Sequence, residues 1–237
     1  MELSIDTSTG TAGVALSREG RLLAELAWFA GRNHTMHLHD GIEYLLKQQG
    51  VKPADLKAII VAIGPGSFSG LRVGVSSAKG MAMALEIPLA AVSTLAVEAY
   101  PFLVTGLPVR PLLDAGRGEL ATALYQWQGG DMTGLEPPNI AAVDAICART
   151  KERTVLCGEQ LHAIGDVLKA RLGEIAIIPP LSTLVRRPAH LAELGWKRLE
   201  AGLAENVATL QPEYLRAPSI TLPKQPAAVR VGKGKSG

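Results

Sequence analysis

Near its start the chain places one carboxylate ahead of a run of hydroxyls, in Asp6-Thr7-Ser8-Thr9-Gly10-Thr11. In a phosphotransfer cleft such an Asp orients Mg²⁺ or a water, while the amides of the turn meet phosphate. The alternative is an Asx or ST turn, in which the same side chains serve their own backbone. A second stretch, Ile63 to Arg72 (IGPGSFSGLR), sets a glycine-rich loop between an apolar run and a helical pattern. That context presents backbone N–H groups to an anion. Gly64, Gly66 and Gly70 are spaced G-x-G-x-x-x-G, one residue too long for a dinucleotide loop. No Lys-Ser/Thr pair follows, so the loop is not a Walker A motif. Neither Ser67 nor Ser69 has the flanking glycines of a nucleophile elbow. The alternative here is a tight turn whose glycines let strand and helix pack closely.

His34, His37 and His39 invite a metal reading, but on a helix His39 points about 200° away from His37. No acid or cysteine completes a ligand shell and no H-E-x-x-H occurs, so a surface cluster at a helix start is expected and no metal site. Cys147 and Cys157 match no C-x-x-C pattern, and Cys157 has no activating neighbour in sequence, which leaves thiol catalysis unsupported. A reduced, cytoplasmic setting is expected. The first residues lack the pattern of a signal peptide, and no run of about 18 apolar residues predicts a membrane span.

The elements that must hold these residues follow from periodicity. Glu2–Asp6, Ala12–Ser17 and Leu22–Phe29 read as strands, with turn residues between them. A helix capped by Asn33 or Thr35 runs to about Gln49, with Leu38, Ile42, Leu45 and Leu46 at helical spacing. The β-branched run KAIIVAI over Lys57–Ile63 predicts a strand buried on both faces. The Gly64–Gly70 loop then leads into a helix from Leu71 to Leu85. In the second half, Val109–Asp114, Leu120–Trp127 and a segment near Met132–Leu135 read as strands. Helices are expected over Ala141–Thr150, Leu161–Leu172 and Pro188–Leu203, with a strand at Thr154–Gly158. The order of the first half thus recurs. Asp6 is followed at +4, +9 and +10 by Gly10, Ala15 and Leu16, and Asp114 at the same offsets by Gly118, Ala123 and Leu124. Two like α/β lobes facing across a cleft are predicted.

The helix after the glycine loop has two stripes. Leu71, Val75, Ala78, Ala82 and Leu85 form an apolar face. Gly70, Gly74, Ala78 and Ala82 recur every fourth residue, a ridge of small side chains that lets another helix come close. That helix belongs either to a partner or to the chain's own packing against its sheet.

The formal charge of +2 comes from 24 Lys+Arg and 22 Asp+Glu in 237 residues. From Pro218 to Gly237 the chain has Lys224, Arg230, Lys233 and Lys235 and no acid; without those four, 20 basic residues face 22 acidic ones. The body is therefore not a self-sufficient nucleic-acid binder. The tail reads as a solvated end or, alternatively, an RNA-touching arm.

Taken together, Ile5-Asp6-Thr7-Ser8-Thr9, GPGSFSGLRVGVSSAKGMA over 64–82, IPLAAVSTL over 87–95, LLDAGRGE over 112–119 and Pro212-Glu213-Tyr214-Leu215-Arg216 resemble the TsaB (YeaZ) family. This is the smaller actin/Hsp70-like subunit of the bacterial machinery that makes threonylcarbamoyladenosine next to the tRNA anticodon. The resemblance runs in order from about Leu3 to Arg216, and the GPGSFSGLR block is highly specific. It implies an α/β ASKHA (actin/Hsp70/ribonuclease-H-like) fold of duplicated βββαβα units. The expected lobes are 1–105 and 106–217, followed by the tail 218–237.

The resemblance further implies a non-catalytic subunit that pairs with and activates a TsaD-type transferase, joined by a TsaE-type ATPase. It implies a homodimer when the chain is alone, tRNA contact only through the complex, and ATP and a divalent metal held by partner subunits. The expected partner surface is Gly70, Leu71, Gly74, Ala78, Met81 and Ala82, with Leu38 and Leu45 of the first helix beside it. The family-motif loop is Gly64, Pro65, Gly66, Ser67, Phe68, Ser69 and Arg72, and the cleft residues are Asp6, Thr7, Ser8, Thr9, Asp114 and Arg117. Gly116 and Ala121 replace an arginine and a tyrosine usual in the family turn. The alternatives are a stand-alone ATP-dependent ASKHA enzyme with Asp6 and Asp114 facing across the cleft, and, with less support, a glycoprotease-like metallopeptidase.

Overall fold

The computed structural model describes residues 1–31 and 34–216, and for residues 34–36 the backbone alone. The candidate cap Asn33, the His34 side chain and the tail 218–237 therefore lie outside the described residues. The first half contains β1 (Glu2–Asp6), β2 (Thr11–Arg18), β3 (Arg21–Phe29), α1 (His34–Gln48), β4 (Ala58–Gly64), α2 (Phe68–Leu85), β5 (Leu89–Ser93) and α3 (Thr94–Ala99). The second contains β6 (Val109–Asp114), β7 (Leu120–Gln128), β8 (Asp131–Ala141), α4 (Val143–Arg149), β9 (Thr154–Cys157), α5 (Leu161–Leu172), β10 (Ala176–Ile177) and α6 (Pro188–Glu200).

The strands form two five-stranded sheets, ordered β3-β2-β1-β4-β5 and β8-β7-β6-β9-β10. In each, three strands pair antiparallel as a meander, and the first of them pairs in parallel with the fourth, which pairs in parallel with the fifth. The same topology twice over is the duplicated ASKHA architecture. The sequence pattern places most elements but misses β5, α3 (Thr94–Ala99) and β10. β5 (LAAVS) is short, and β10 has only two residues. β8 is much longer than the segment expected near Met132–Leu135, because Pro137 and Pro138 are accommodated on this edge strand beside register shifts in the β7–β8 ladder. α2 starts three residues earlier than the pattern suggests. The Ser67 hydroxyl caps it by accepting from the Gly70 N–H at 3.3 Å.

Helices cover both faces of the first sheet. On one face lie α1 and α2, whose Leu38, Ile42, Leu45, Val75, Ala78 and Ala82 join Leu3, Ile5, Ile59 and Val61 in a core. On the other lies α6, which packs against β1 to β5 even though it follows the second sheet in sequence. Small residues bring both layers close. A Cβ on Gly74 would sit 2.3 Å from Thr7 Oγ1, and one on Gly195 would sit 2.2 Å from an Ile60 methyl. Beyond α6 the chain crosses back over the first lobe. Glu205 N–H donates to Leu89 O at 2.8 Å and Glu213 N–H to Ile63 O at 2.7 Å, and Val207 and Leu210 pack on the first core. The stretch expected to close the second lobe thus spends α6 and the following strap on the first.

The ridge is where the sequence-based expectation needs correcting. Gly70, Leu71, Gly74, Ala78, Ala82, Leu38 and Leu45 are all buried within the chain, and Met81 packs against the same core. They face this protein's own sheet, not a partner helix. The cause is that the small ridge and the apolar stripe share Ala78 and Ala82, so one face of α2 serves both. Replacing Gly74 by Leu or Ala78 by Phe is therefore expected to cost about 1–3 kcal/mol of stability through overpacking. Urea unfolding of each variant checks this, and an unchanged midpoint would place the ridge outside the core.

Candidate functional site

The turn after β1 and the loop after β4 are adjacent strand ends, because β1 and β4 pair in parallel and deliver both to the same edge. The two segments then lock together. Ser67 N–H donates to Ser8 O at 2.7 Å, and a Cβ on Gly66 would lie 2.0 Å from that oxygen, so only glycine fits there. The Thr7 hydroxyl donates to Gly70 O at 2.7 Å. The loop, with Gly64 and Pro65 joined by a cis peptide, thus spends polar groups on the neighbouring turn.

Asp6 is buried and fully engaged. Its Oδ1 accepts from Ser8 N–H at 2.9 Å and the Ser8 hydroxyl at 2.6 Å, an Asx turn. Its Oδ2 accepts from Arg186 Nε at 2.6 Å. Arg186, just ahead of α6, lies at the centre of a buried cluster. Its Nη1 donates to Glu98 Oε1 at 2.8 Å and lies 3.5 Å from Glu159 Oε1; its Nη2 donates to the Thr9 hydroxyl at 2.9 Å and to Thr11 O at 3.2 Å. The Thr9 hydroxyl in turn donates to Glu159 across the cleft. One guanidinium therefore joins the end of β1, α3, the segment after β9 and the start of α6.

The electrostatics follow from burial. Desolvation raises the Glu98 carboxyl from 4.5 to about 7 against the opposing pull of Arg186. Burial acts to lower the Arg186 pKa, but Asp6, Glu98 and Glu159 together raise it above its ordinary value. Burial also pushes the Cys157 thiol well up, with the Glu98 charge adding to the effect, so Cys157 is an inert core thiol.

Beside this cluster opens a cleft of about 520 Å³, whose walls include Thr9, Pro65, Asp114, Glu159, Glu213 and Arg216. Asp114 is exposed at the end of β6 and forms its own Asx turn, accepting from Gly116 N–H at 2.9 Å. Arg117 stands exposed in the same turn with φ of 60°. Asp6 does not line the cleft, since Arg186 holds it from within. Of the two carboxylates that the alternative reading sets across a nucleotide site, Asp114 lines the cleft and Asp6, expected among the cleft residues, does not.

A Mg²⁺–nucleotide, which the fold suggests, does not fit this donor set. The strand-end carboxylate is already neutralised by a guanidinium, and the cleft walls set Asp114, Glu159 and Glu213 against Arg216, an excess of negative charge that disfavours polyphosphate. Among the described residues no group of three His, Cys, Asp or Glu is placed to hold a metal, and His37 and His39 are exposed.

Sequence reasoning missed Arg186, Glu98 and Glu159. Glu98 has one legible signal, a lone acid in the apolar run VSTLAVEAY, which implies a buried partner. Nothing local separates Arg186 from Arg187, whose side chain instead meets Glu25 at the surface.

A family model described as "TsaD: tRNA N6-adenosine threonylcarbamoyltransferase" matches residues 28–223. The chain is 37% identical over 220 residues to the Bacillus subtilis "tRNA threonylcarbamoyladenosine biosynthesis protein TsaB", covering 90% of this chain and 93% of that one. It is 33% identical to the Escherichia coli protein of the same name over 58% of this chain and 63% of that one. Among solved structures, YeaZ from Pseudomonas aeruginosa superposes with a TM-score of 0.76 at 26% identity, covering 90% of this chain and 99% of that one.

Two outcomes test the cluster. Arg186→Met leaves carboxylates buried without their cation and is expected to cost about 3–5 kcal/mol, read by urea unfolding. The Glu98 carboxyl titrates higher folded than unfolded, so its contribution to stability is full below pH 4.5 and is lost as pH rises through about 7. Glu98→Gln should flatten this part of the melting temperature–pH curve, and a curve that keeps the wild-type slope between pH 5 and 7 would assign the titration elsewhere.

Proposed function

The chain belongs to the TsaB (YeaZ) family, and from that premise we propose that it is a non-catalytic subunit in threonylcarbamoyladenosine modification of tRNA, one that pairs with a TsaD-type transferase and activates it. The observation that supports this reading most is the Asp6–Arg186 pair. Where an ATP-using relative of this fold needs a strand-end carboxylate for its metal, this chain places its own guanidinium 2.6 Å from that carboxylate. The carboxylate that ends β1 is committed to structure, and in this reading the nucleotide and metal of the reaction belong to partner subunits, among them a TsaE-type ATPase.

Pairing needs a surface, and burial of the α2 ridge moves it to the outward sides of the same helices. Tyr44 on α1, 55% exposed, is a large group of the kind that anchors interfaces. The same surface serves a homodimer when the transferase is absent. In this reading the protein works in the cytoplasm, where tRNA is modified, and the described residues include no helix long and apolar enough to cross a membrane.

The decisive measurement is threonylcarbamoyl transfer to tRNA by a TsaD-type enzyme, with and without this chain. Transfer should rise with added chain and saturate at a fixed ratio, while the chain alone shows no transfer, peptide cleavage or ATP turnover. Metal-dependent ATP turnover by the pure chain, abolished by Asp6→Asn, would overturn the proposal in favour of a stand-alone enzyme.

A further inference from the structure

We infer that the groove between α2 and the strap at residues 210–214 is a contact site for single-stranded RNA. The groove has a volume of about 590 Å³, within the range of sites that hold nucleotide-sized ligands, and no residue of α1 lines it. Its walls include Phe68, Arg72, Lys79, Met83, Pro212 and Tyr214.

Two features select the occupant. The first is stacking surface. The Phe68 and Tyr214 rings lie 5.0 Å apart at 34°, and the Arg72 guanidinium sits 5.2 Å over the Phe68 ring. Arg72, Phe68 and Tyr214 thus form a cluster of flat groups, held on one side by a helix and on the other by a strap. Bases stack on both aromatic rings and guanidinium planes, whatever their identity.

The second is charge. The charged side chains lining the groove are Arg72 and Lys79, both cations. Lys79 is fixed by donating to Ala208 O at 3.1 Å and Leu210 O at 2.9 Å, which holds its charge at the groove wall. Phe68 and Tyr214 also line the neighbouring cleft, which contains Asp114, Glu159 and Glu213. The ring pair is therefore a wall between an acidic cleft and a cationic groove, and a polyanion is steered to the groove side.

The inference goes beyond subunit pairing: it gives the chain direct contact with RNA, where the family resemblance implies contact only through the complex.

The test is binding of a fluorescent single-stranded RNA octamer to the full chain, measured by anisotropy across a salt series, for wild type, Arg72→Ala, Tyr214→Ala and the double variant. A glutamate-rich peptide of equal length is the competitor that represents an acidic protein segment. Arg72 is exposed, so its removal leaves the fold intact, and melting temperature confirms this for each variant. Loss of either stacking partner should weaken RNA binding at least about 5-fold. Arg72→Ala should also lower the slope of log K against log salt by about 0.7, one phosphate contact on a single strand. RNA binding that is undetectable at 50 mM salt, or unchanged in the double variant, would overturn the inference. So would stronger competition by the peptide than by unlabelled RNA, which would make the groove a protein site. Stimulation of the transferase by wild type, measured separately, distinguishes the two readings: stimulation without RNA binding defeats this inference and leaves the subunit role standing.

Discussion

The molecule depends most on a single buried cation. Arg186 is drawn into the interior by Asp6, Glu98 and Glu159, and the side chains of all but Glu159 are nearly inaccessible. Burying such a group is costly unless every charge finds its partner, and here the partners come from elements far apart in the chain. Asp6 ends the first strand, Glu98 belongs to α3, Glu159 follows β9, and Arg186 precedes α6. Their mutual neutralisation is possible only when both sheets, the helix between them and the returning helix are all in place. The cluster thus ties the two lobes at the base of their cleft. It also explains why the carboxylate that ends β1 is not free to hold a metal here.

Around that centre the two lobes are interleaved more than their duplicated topology suggests. α3 comes from the first half and packs on the second sheet, while α6 and the strap come from the second half and cover the first. The first sheet is consequently a middle layer, with close-packed helices on either face. Gly74 and Gly195 set those two distances, each leaving out the Cβ that would collide with the sheet. Such packing leaves the outward sides of α1 and α2 and the groove beside the strap as the surfaces available to other molecules. Pairing and recognition then act on a frame whose interior is already committed.

Much of this was legible in advance. The alternating and β-branched runs locate β1 to β4, β6, β7 and β9, because each turns at least one face toward a core, partly buried in β3, and their residue types show it. The repeated offsets after Asp6 and Asp114 announce the duplication that the two sheets display. The GPGSFSGLR block was recognisable as a loop entering a helix, and its glycines do serve close approach. Less legible were β5, α3 and β10, too short for periodicity, and the start of α2, which depends on a serine cap that sequence alone cannot distinguish from the neighbouring Ser69.

By itself, then, the sequence determined the elements, their repetition and the family, since these rest on patterns among residues close in the chain. It did not determine which way a symmetric feature faces. The small ridge of α2 suits a partner helix or a sheet equally well, and only the tertiary structure turned Gly74 toward Thr7. Nor could it choose between Asp6 as a metal ligand and Asp6 as one end of an ion pair. That choice belongs to Arg186, 180 residues away. The physical reason is the same in both cases: burial and charge pairing are properties of the assembled interior, where the energy of a side chain is set by neighbours that its own segment does not specify.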